Sequence, residues 1–365
     1  MNVPKLRFKE FNDEWKKAQL SSFVNINPKN DSLPEKFIYI DLESVNNGLL
    51  TSRKIINKSE APSRAQRTII KNDILYQTVR PYQMNNLFIN SLDSTYPYIA
   101  STGYALLRTE ENPYFVYSIL HQKSFVNKVL DKCTGTSYPA ISANDLGAII
   151  VGLPSIKEQE KISRTFELLD KKIELQSKKI EDLKLFKLYI RKKIFSSNTN
   201  NNIRLKEIVN CEFSNITLVD IENDNGIYPV YGATGFIKNI KNYNFDSEYI
   251  AIVKDGAGVG RTMICPKNSS ILATMNALTI KNNYPLNYIC EMINTISFDK
   301  YIVGSGIPHI YFKDYGNEEF MLHNENDANK FDSVFKCLDR KIELLNVSLD
   351  KLNILKKGLM QGMFV

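Results

Sequence analysis

A chain of 365 residues, 43% of them apolar, has material for two domains with real cores, which excludes a disordered protein. Its five cysteines (Cys133, Cys211, Cys265, Cys290, Cys337) stand singly with no Cys-x-x-Cys pair, which argues against a disulfide framework or a zinc site and for reduced thiols. The net charge of +7 makes an anionic partner only modestly more attractive until the charges are located.

The first residues, Met1 to Arg7, lack the apolar core of a signal peptide, and no run approaches the roughly 20 apolar residues of a membrane span. A soluble, cytoplasmic protein is expected. Residues 3–17 form a charged lead-in that carries Trp15, the single tryptophan. From 18 to 155, short apolar runs alternate with Asn, Gly, Pro and Ser. Phe37-Ile38-Tyr39-Ile40, Ile74-Leu75-Tyr76, Tyr104-Ala105-Leu106-Leu107 and Ile149-Ile150-Val151 read as strands. Asn112-Pro113-Tyr114-Phe115 reads as a helix start, and Phe115, Ile119, Phe125 and Val129 predict one helix over Tyr114 to Leu130.

From 157 to Phe195 glycine and proline vanish. Phe166, Leu169, Ile173, Gln176, Ile180, Leu183, Lys187, Ile190 and Ile194 follow the 3-4 step of a heptad seam. Ser196 to Asn202 reads as a polar linker. Residues 203–322 return to the mixed texture, with strands at Ile250-Ala251-Ile252-Val253, Thr262-Met263-Ile264 and Ala277-Leu278-Thr279-Ile280. The heptad then recurs at Phe335, Leu338, Ile342, Leu345, Leu349, Leu352, Lys356, Leu359 and Met363. The boundaries are therefore 1–156, 157–202, 203–323 and 324–365.

The recurrence is an internal repeat. Leu169-Asp170-Lys171-Lys172-Ile173-Glu174-Leu175 returns as Leu338-Asp339-Arg340-Lys341-Ile342-Glu343-Leu344, an offset of 338 − 169 = 169. The offset holds without a gap from Gly135/Gly304 through Pro139/Pro308 and Asp145/Asp314 to Phe195/Phe364. Two halves with the same long helix and dissimilar preceding sequence imply two α+β domains built on one plan. Helices of this length span roughly 45 Å. The pattern favours their pairing with each other and leaves parallel and antiparallel pairing open. Lys187 and Lys356 fall in the seam, where an unpaired charge costs stability and fixes register.

Enzyme chemistry finds little support. His121, His309 and His323 are far apart, with no His-x-x-x-His spacing for a metal hydrolase, and there is no Gly-x-Ser-x-Gly elbow. The glycine-dense stretch Asp255-Gly256-Ala257-Gly258-Val259-Gly260-Arg261 lacks the Lys-Ser/Thr of a phosphate-binding loop and precedes a strand. It reads as a turn between strands, or as a backbone-rich turn able to approach a DNA phosphate.

Polar loops supply the candidate DNA contacts. In the first domain these are Arg53, Lys54, Arg64, Arg67, Arg80, Tyr82, Gln83 and Asn85, since arginine suits guanine edges, amides suit adenine, and lysine and tyrosine suit phosphates. In the second they are Tyr231, Thr234, Lys238, Lys254, Arg261 and Asn276. For any one of them, an ordinary solvated loop residue is the competing reading.

Several segments in order resemble the specificity subunits of type I restriction-modification enzymes. They are Val3-Pro4-Lys5-Leu6-Arg7-Phe8 through Trp15, Arg80-Pro81-Tyr82, Ser101-Thr102-Gly103-Tyr104 and Leu153-Pro154-Ser155-Ile156-Lys157-Glu158-Gln159-Glu160-Lys161-Ile162. Tyr231-Gly232-Ala233-Thr234-Gly235 and Gly304-Ser305-Gly306-Ile307-Pro308-His309-Ile310 complete the set. The resemblance implies two target-recognition domains, each reading half of a split DNA site, separated by antiparallel helices about a pseudo-two-fold axis. It implies two modification subunits carrying S-adenosylmethionine chemistry, restriction subunits using ATP and magnesium, and no catalysis or cofactor in this chain. A stand-alone methyltransferase or nuclease, and a coiled-coil scaffold without DNA readout, are the rival readings. The second repeat departs from the pattern: Leu322-His323-Asn324-Glu325-Asn326-Asp327-Ala328 lacks the proline and the Glu-Gln pair, which bears on docking at that copy.

Overall fold

Two units, each with its own core, divide the chain: Met1–Leu175 with Leu349–Val365, and Gln176–Ser348. The computed structural model describes residues 3–29, 32–46, 48–135, 137–195 and 202–365. The division cuts through both long helices rather than setting them apart as segments of their own. The linker expected over 196–202 lies outside the described residues, except Asn202, which opens a strand.

In the first unit an antiparallel sheet runs in the order Val24–Ile26, Tyr104–Thr109, Ile74–Gln77, Leu87–Phe88. A second sheet, ordered Lys54–Asn57, Lys36–Ile40, Tyr98–Ser101, Ala65–Ile69, contains one parallel pair, Lys36–Ile40 with Tyr98–Ser101. Lys16–Gln19 pairs with Ile150–Leu153 just before the first long helix. Trp15, Phe115, Phe125, Ile162, Phe166 and Phe364 share one core. The Trp15 ring stands edge-on to Phe115 at 5.9 Å and to Phe364 at 6.2 Å, so the lead-in and the end of the second long helix are both fixed there.

The single helix expected over 114–130 is two, Pro113–Leu120 and Lys123–Lys132. Phe115 and Ile119 share one face, as do Phe125 and Val129, but the six-residue step from 119 to 125 does not fit a 3.6 period. Extended Gln122 (ψ 135°) breaks the chain and lets both faces reach the same core. The helix start itself is as read: the Asn112 side chain accepts from the Phe115 amide at 3.0 Å, with Pro113 in the first turn.

The second unit repeats this plan with other residues. An antiparallel sheet runs Val209–Phe213, Met275–Ile280, Tyr249–Val253, Thr262–Cys265. A smaller sheet, Gly235–Ile240, Tyr228–Gly232, Ser270–Ile271, again contains one parallel pair. Asn202–Arg204 pairs with Glu319–Met321, the counterpart of the pair before the first helix. Phe195, 169 residues before Phe364, packs on Tyr288 at 5.2 Å. The last aromatic of each helix thus enters a core, Phe195 in the second unit and Phe364 in the first.

The long helices are Ile156–Phe195 and Glu325–Gly362. Ile162, Phe166, Ile180, Phe335 and Leu338 are buried, and Leu169, Ile173, Leu183, Ile190, Ile342, Leu345, Leu349, Leu352 and Leu359 are half-buried, with exposed residues between them. Within each unit the two helix lengths run antiparallel. In the first, the Phe166 and Phe364 rings meet at 5.8 Å and Asp170 pairs with Lys356 at 2.5 Å. In the second, Gln176 Nε2 donates to the Leu345 carbonyl at 3.1 Å and Lys187 pairs with Asp339 at 2.6 Å.

The two lysine–aspartate pairs are one pair exchanged, since 170/339 and 187/356 are each 169 residues apart. The seam lysines expected to cost stability are therefore paired rather than unpaired. Lys187 also meets Glu291 at 2.7 Å, and its side chain is 14% exposed, so the charge is neutralised where it is buried.

Candidate nucleic-acid interface and helix pair

In the first unit, strand Ile74–Gln77 leads into a loop that ends at Asn86. Pro81–Gln83 form a single 3-10 turn flanked by Arg80 (φ 55°) and Met84 (φ 51°), both left-handed. Such backbone is sparsely populated by residues other than glycine and asparagine and persists only where neighbours hold it. The holding groups are buried amides. Gln77 Nε2 donates to the Val79 carbonyl and to Gln83 Oε1, both at 2.8 Å, while its Oε1 accepts from the Asn85 amide at 3.2 Å. Asn86 Oδ1 accepts from the Gln77 amide at 2.8 Å, and Asn86 Nδ2 lies 3.4 Å from His121 Nε2. His121 Nδ1 is 2.8 Å from the Tyr117 carbonyl, so it carries the proton and leaves Nε2 to accept from Asn86. Burial holds this imidazole below its ordinary pKa, which keeps it neutral. Tyr82 and Gln83 are left facing solvent, and Asn85 is half-buried.

A second loop closes on the first. Thr134 and Val79 both bridge Ala140, the Arg80 amide donates to the Pro139 carbonyl at 2.7 Å, and the Ile141 amide donates to the Thr78 carbonyl at 3.1 Å. The second unit has the same pattern. Val303 and Asp255 both bridge His309, the Gly256 amide donates to Pro308 at 2.9 Å, and the Ile310 amide donates to Lys254 at 3.0 Å. Since 134/303, 139/308 and 140/309 are repeat partners, Thr78, Val79 and Arg80 correspond to Lys254, Asp255 and Gly256. The candidate loop around Arg80 and the glycine-dense stretch therefore occupy one place in the fold. That stretch is a hairpin turn, closed by Gly260 N donating to the Val253 carbonyl at 2.9 Å.

The side chains at this place differ. In the first unit the Arg80 guanidinium lies 4.3 Å over the Tyr138 ring. In the second, His309 Nδ1 contacts Asp255 Oδ1, and the Tyr311 ring stands 4.1 Å from the imidazole. Arg261 Nη1 donates to the Ala233 carbonyl at 3.2 Å, joining the hairpin to the turn that carries exposed Thr234. Lys254 lies 5.7 Å over Phe213, Lys238 Nζ donates to the Glu222 carbonyl at 3.0 Å, and Tyr231 is half-buried against Phe236.

Other candidates lie apart from these loops. Arg53 pairs with Asp93 at 3.0 Å and Lys54 with Asp41 at 3.0 Å, on or beside the outer strand of the mixed sheet. Arg64 is exposed, whereas Arg67 is half-buried, with a lowered pKa caused by burial. Asn276 is a correction. It is 1% exposed in strand Met275–Ile280, between Phe213 and Ile252, and cannot reach a nucleic acid. Tyr138, Asp255 and His309 were missed by sequence reasoning, although the repeated Gly-x-x-x-Pro at 135–139 and 304–308 marked the loops of Tyr138 and His309, and the glycine-dense stretch that of Asp255.

The helix pair presents a second kind of surface. In the first unit Leu175, Ile354 and Leu355 stand outside the seam; in the second, Leu344, Leu185 and Phe186 do. These are the same repeat positions, and all six are between 49% and 71% exposed. Exposed apolar side chains that recur by repeat suit a partner surface.

Glu158 and Gln159, by contrast, face inward. Glu158 accepts from Arg7 Nε and Nη2 at 2.7 and 2.8 Å. Gln159 bonds the Asn112 amide, Glu111 and the Pro154 carbonyl. Asp327, at the position of Glu158, instead gives its amide to Asn324 Oδ1 at 2.9 Å in a helix cap. The described residues contain no helix long and apolar enough to cross a membrane and no His/Cys/Asp/Glu cluster able to hold a metal ion.

Comparison with known proteins follows the same two halves. The family model described as type I restriction modification DNA specificity domain matches residues 12–185 and again 198–353. The HindI type I restriction enzyme specificity subunit of Haemophilus influenzae is 27% identical over 172 residues. That match covers 45% of this chain and 37% of the relative's length. The crystal structure of a type I restriction-modification S subunit from M. genitalium aligns over 100% of this chain and 99% of that one, with TM-score 0.64 and 18% identity. A chain from a structure of type I restriction-modification complex assembly aligns over 96% of both chains, with TM-score 0.57 and 18% identity. At that identity both structures speak to the fold alone.

Proposed function

The chain belongs to the type I restriction-modification DNA specificity family, and from that premise we propose that it is the DNA-recognition subunit of a modification and restriction complex. Each unit reads one half of a bipartite target through the paired loops at 78–86 with 134–140, and at 254–261 with 303–309. One observation carries the reading: the family's domain occurs twice, on two units of one architecture whose equivalent loops carry different side chains. Arg80, Tyr82, Gln83, Asn85, Thr234, Lys254 and Arg261 are the contacts retained from the sequence. Arg53, Lys54, Arg64, Arg67, Tyr231 and Lys238 serve as backbone or supporting positions. Different side chains imply different half-sites and an asymmetric target.

The chain itself is non-catalytic and works in the cytoplasm. Base methylation belongs to two modification subunits with S-adenosylmethionine, and translocation and cleavage to restriction subunits with ATP and magnesium. The modification subunits dock on the exposed apolar positions Leu175, Ile354 and Leu355 and their counterparts Leu344, Leu185 and Phe186. Docking at both copies is consistent with Glu158 and Gln159 acting inside the first unit, so their loss at Asp327 and Ala328 removes no docking group.

The test is binding of mixed-sequence DNA by the chain with its modification subunits at low and high salt. Phosphate contacts predict affinity that falls steeply with salt. No binding even at low salt favours a scaffold instead. Turnover of DNA by the isolated chain with S-adenosylmethionine and magnesium favours an enzyme. Leu175→Asp with Ile354→Asp should remove one modification subunit and leave the other, as read by the mass of the complex.

A further inference from the structure

We propose that Arg80 is a base-reading residue, that the half-site read by the first unit contains a guanine held by this guanidinium, and that the Tyr138 ring is its brace. The inference rests on the DNA-recognition reading above and names the residue that gives the first unit its preference.

Arg80 and Gly256 occupy the same place, each donating its amide to the proline carbonyl of the loop opposite, Pro139 or Pro308. Both have positive φ, 55° at Arg80 and 91° at Gly256. Glycine adopts that conformation freely, whereas a side chain strains it. The second unit uses glycine; the first keeps an arginine against the local preference, and the Gln77–Asn86–His121 hydrogen bonds hold the loop that presents it. Strain maintained by a built network points to a use for the side chain.

The side chain is arranged for that use. Its guanidinium lies 4.3 Å over Tyr138, which is 64% exposed, so the ring covers one face and fixes the plane. Among the described residues no carboxylate or carbonyl takes its N–H donors. A planar fork with free edges matches the O6 and N7 acceptors of guanine in the major groove. The second unit lacks both members of this pair: Gly256 replaces the arginine, and Ile307, the repeat partner of Tyr138, replaces the ring. The guanidinium and its brace occur together or not at all in the two halves.

The test is selection of a methylated or bound motif from a randomised DNA duplex library, using the full chain with its modification subunits. Arg80→Gly removes the side chain and relieves the backbone, so its melting temperature should not fall. It should lose a guanine preference of about ten-fold or more at one position of one half-site, leaving the other half-site unchanged. Arg80→Lys, which keeps charge but not the fork, should lose the same preference while retaining the salt dependence of binding. Tyr138→Ala should weaken that preference without abolishing it. Variants that select the wild-type motif at every position overturn the proposal. So does a uniform loss of affinity with a shallower salt slope, which marks a phosphate contact. A wild-type complex that selects no motif overturns the reading beneath it.

Discussion

In the first unit the long helix begins on two buried polar side chains, Glu158 and Gln159, tied to Arg7 and Asn112. In the second, the same repeat positions hold Asp327, whose carboxylate bonds Asn324 and Lys330 at the surface, and Ala328, which is buried and apolar. Both solutions support a helix of nearly the same length with the same seam. Duplication has kept the apolar seam while the polar groups at the helix start diverged. A polar network must keep every partner or lose its value, whereas a surface carboxylate and a small apolar residue are independent of each other. The first unit is therefore the more interdependent: Trp15 and Phe364 close on its core, the Leu6 amide bonds the Gly362 carbonyl, and Arg7 holds Glu158.

The largest test of that contrast removes the aromatic that each helix delivers. Phe364→Ala should cost the first unit about 3–5 kcal/mol, because Phe364 touches Trp15, Phe115 and Phe166. Phe195→Ala should cost the second less, since Phe195 is only half-buried. Trp15 is the single tryptophan and lies in the first unit, so its fluorescence during thermal unfolding reports that unit. Equal shifts of the Trp15 transition for the two variants would remove the contrast.

Next in size is Glu158→Ala, expected to lower the stability of the first unit by about 3 kcal/mol by leaving Arg7 buried without its partner. Asp327→Ala should cost about 1 kcal/mol or less, because it removes only the surface bonds of its carboxylate to Asn324 Nδ2 and Lys330. Urea midpoints compare the two, and a larger loss at Asp327 would sink the assignment.

The smallest effect is the pH dependence. Burial lowers the pKa of His121 in the first unit, and burial lowers that of His323 in the second against the opposing pull of Asp327. A histidine held neutral in the fold takes up its proton on unfolding near its ordinary value of about 6.5. The unfolded chain then binds more protons, so stability should fall as pH drops from about 6.5 toward 5. His121→Gln should flatten that slope in Trp15-detected melts, and an unchanged slope would exclude His121 as its source.

Sequence carried the architecture where the signal was periodic and long. The heptads from Phe166 and Phe335 and the 169-residue offset follow from apolar side chains that must face one seam, so they are visible in a single chain. Strand centres such as Tyr104–Leu107 were visible for a different reason, as short continuous apolar runs buried on both faces. The break at Gln122 was less visible, because it depends on two short faces sharing one core. Asn276 was misread because Met275 to Leu278 are buried on both faces, which removes the alternation that marks an inward residue. The match between Arg80 and Gly256 was invisible because backbone hydrogen bonds to Pro139 and Pro308 make it, with no side-chain identity upstream of Gly135 and Gly304 to mark it. The pairing of the seam lysines was not visible because their partners, Asp339 and Asp170, lie on the opposite helix.

The proposed function makes the long helices the element that sets the gap between the two half-sites. The most direct measurement is the motif selected from randomised DNA by the complex, compared for the wild-type chain and a chain lacking one heptad from each long helix. Two dissimilar specified half-sites with a fixed gap are expected from the wild-type chain. The shortened chain should keep both half-sites and narrow the gap by about three base pairs, from roughly 10 Å of lost helix against about 3.4 Å per base pair. An unchanged gap, or a single uninterrupted motif, would rule out the helices as the spacer.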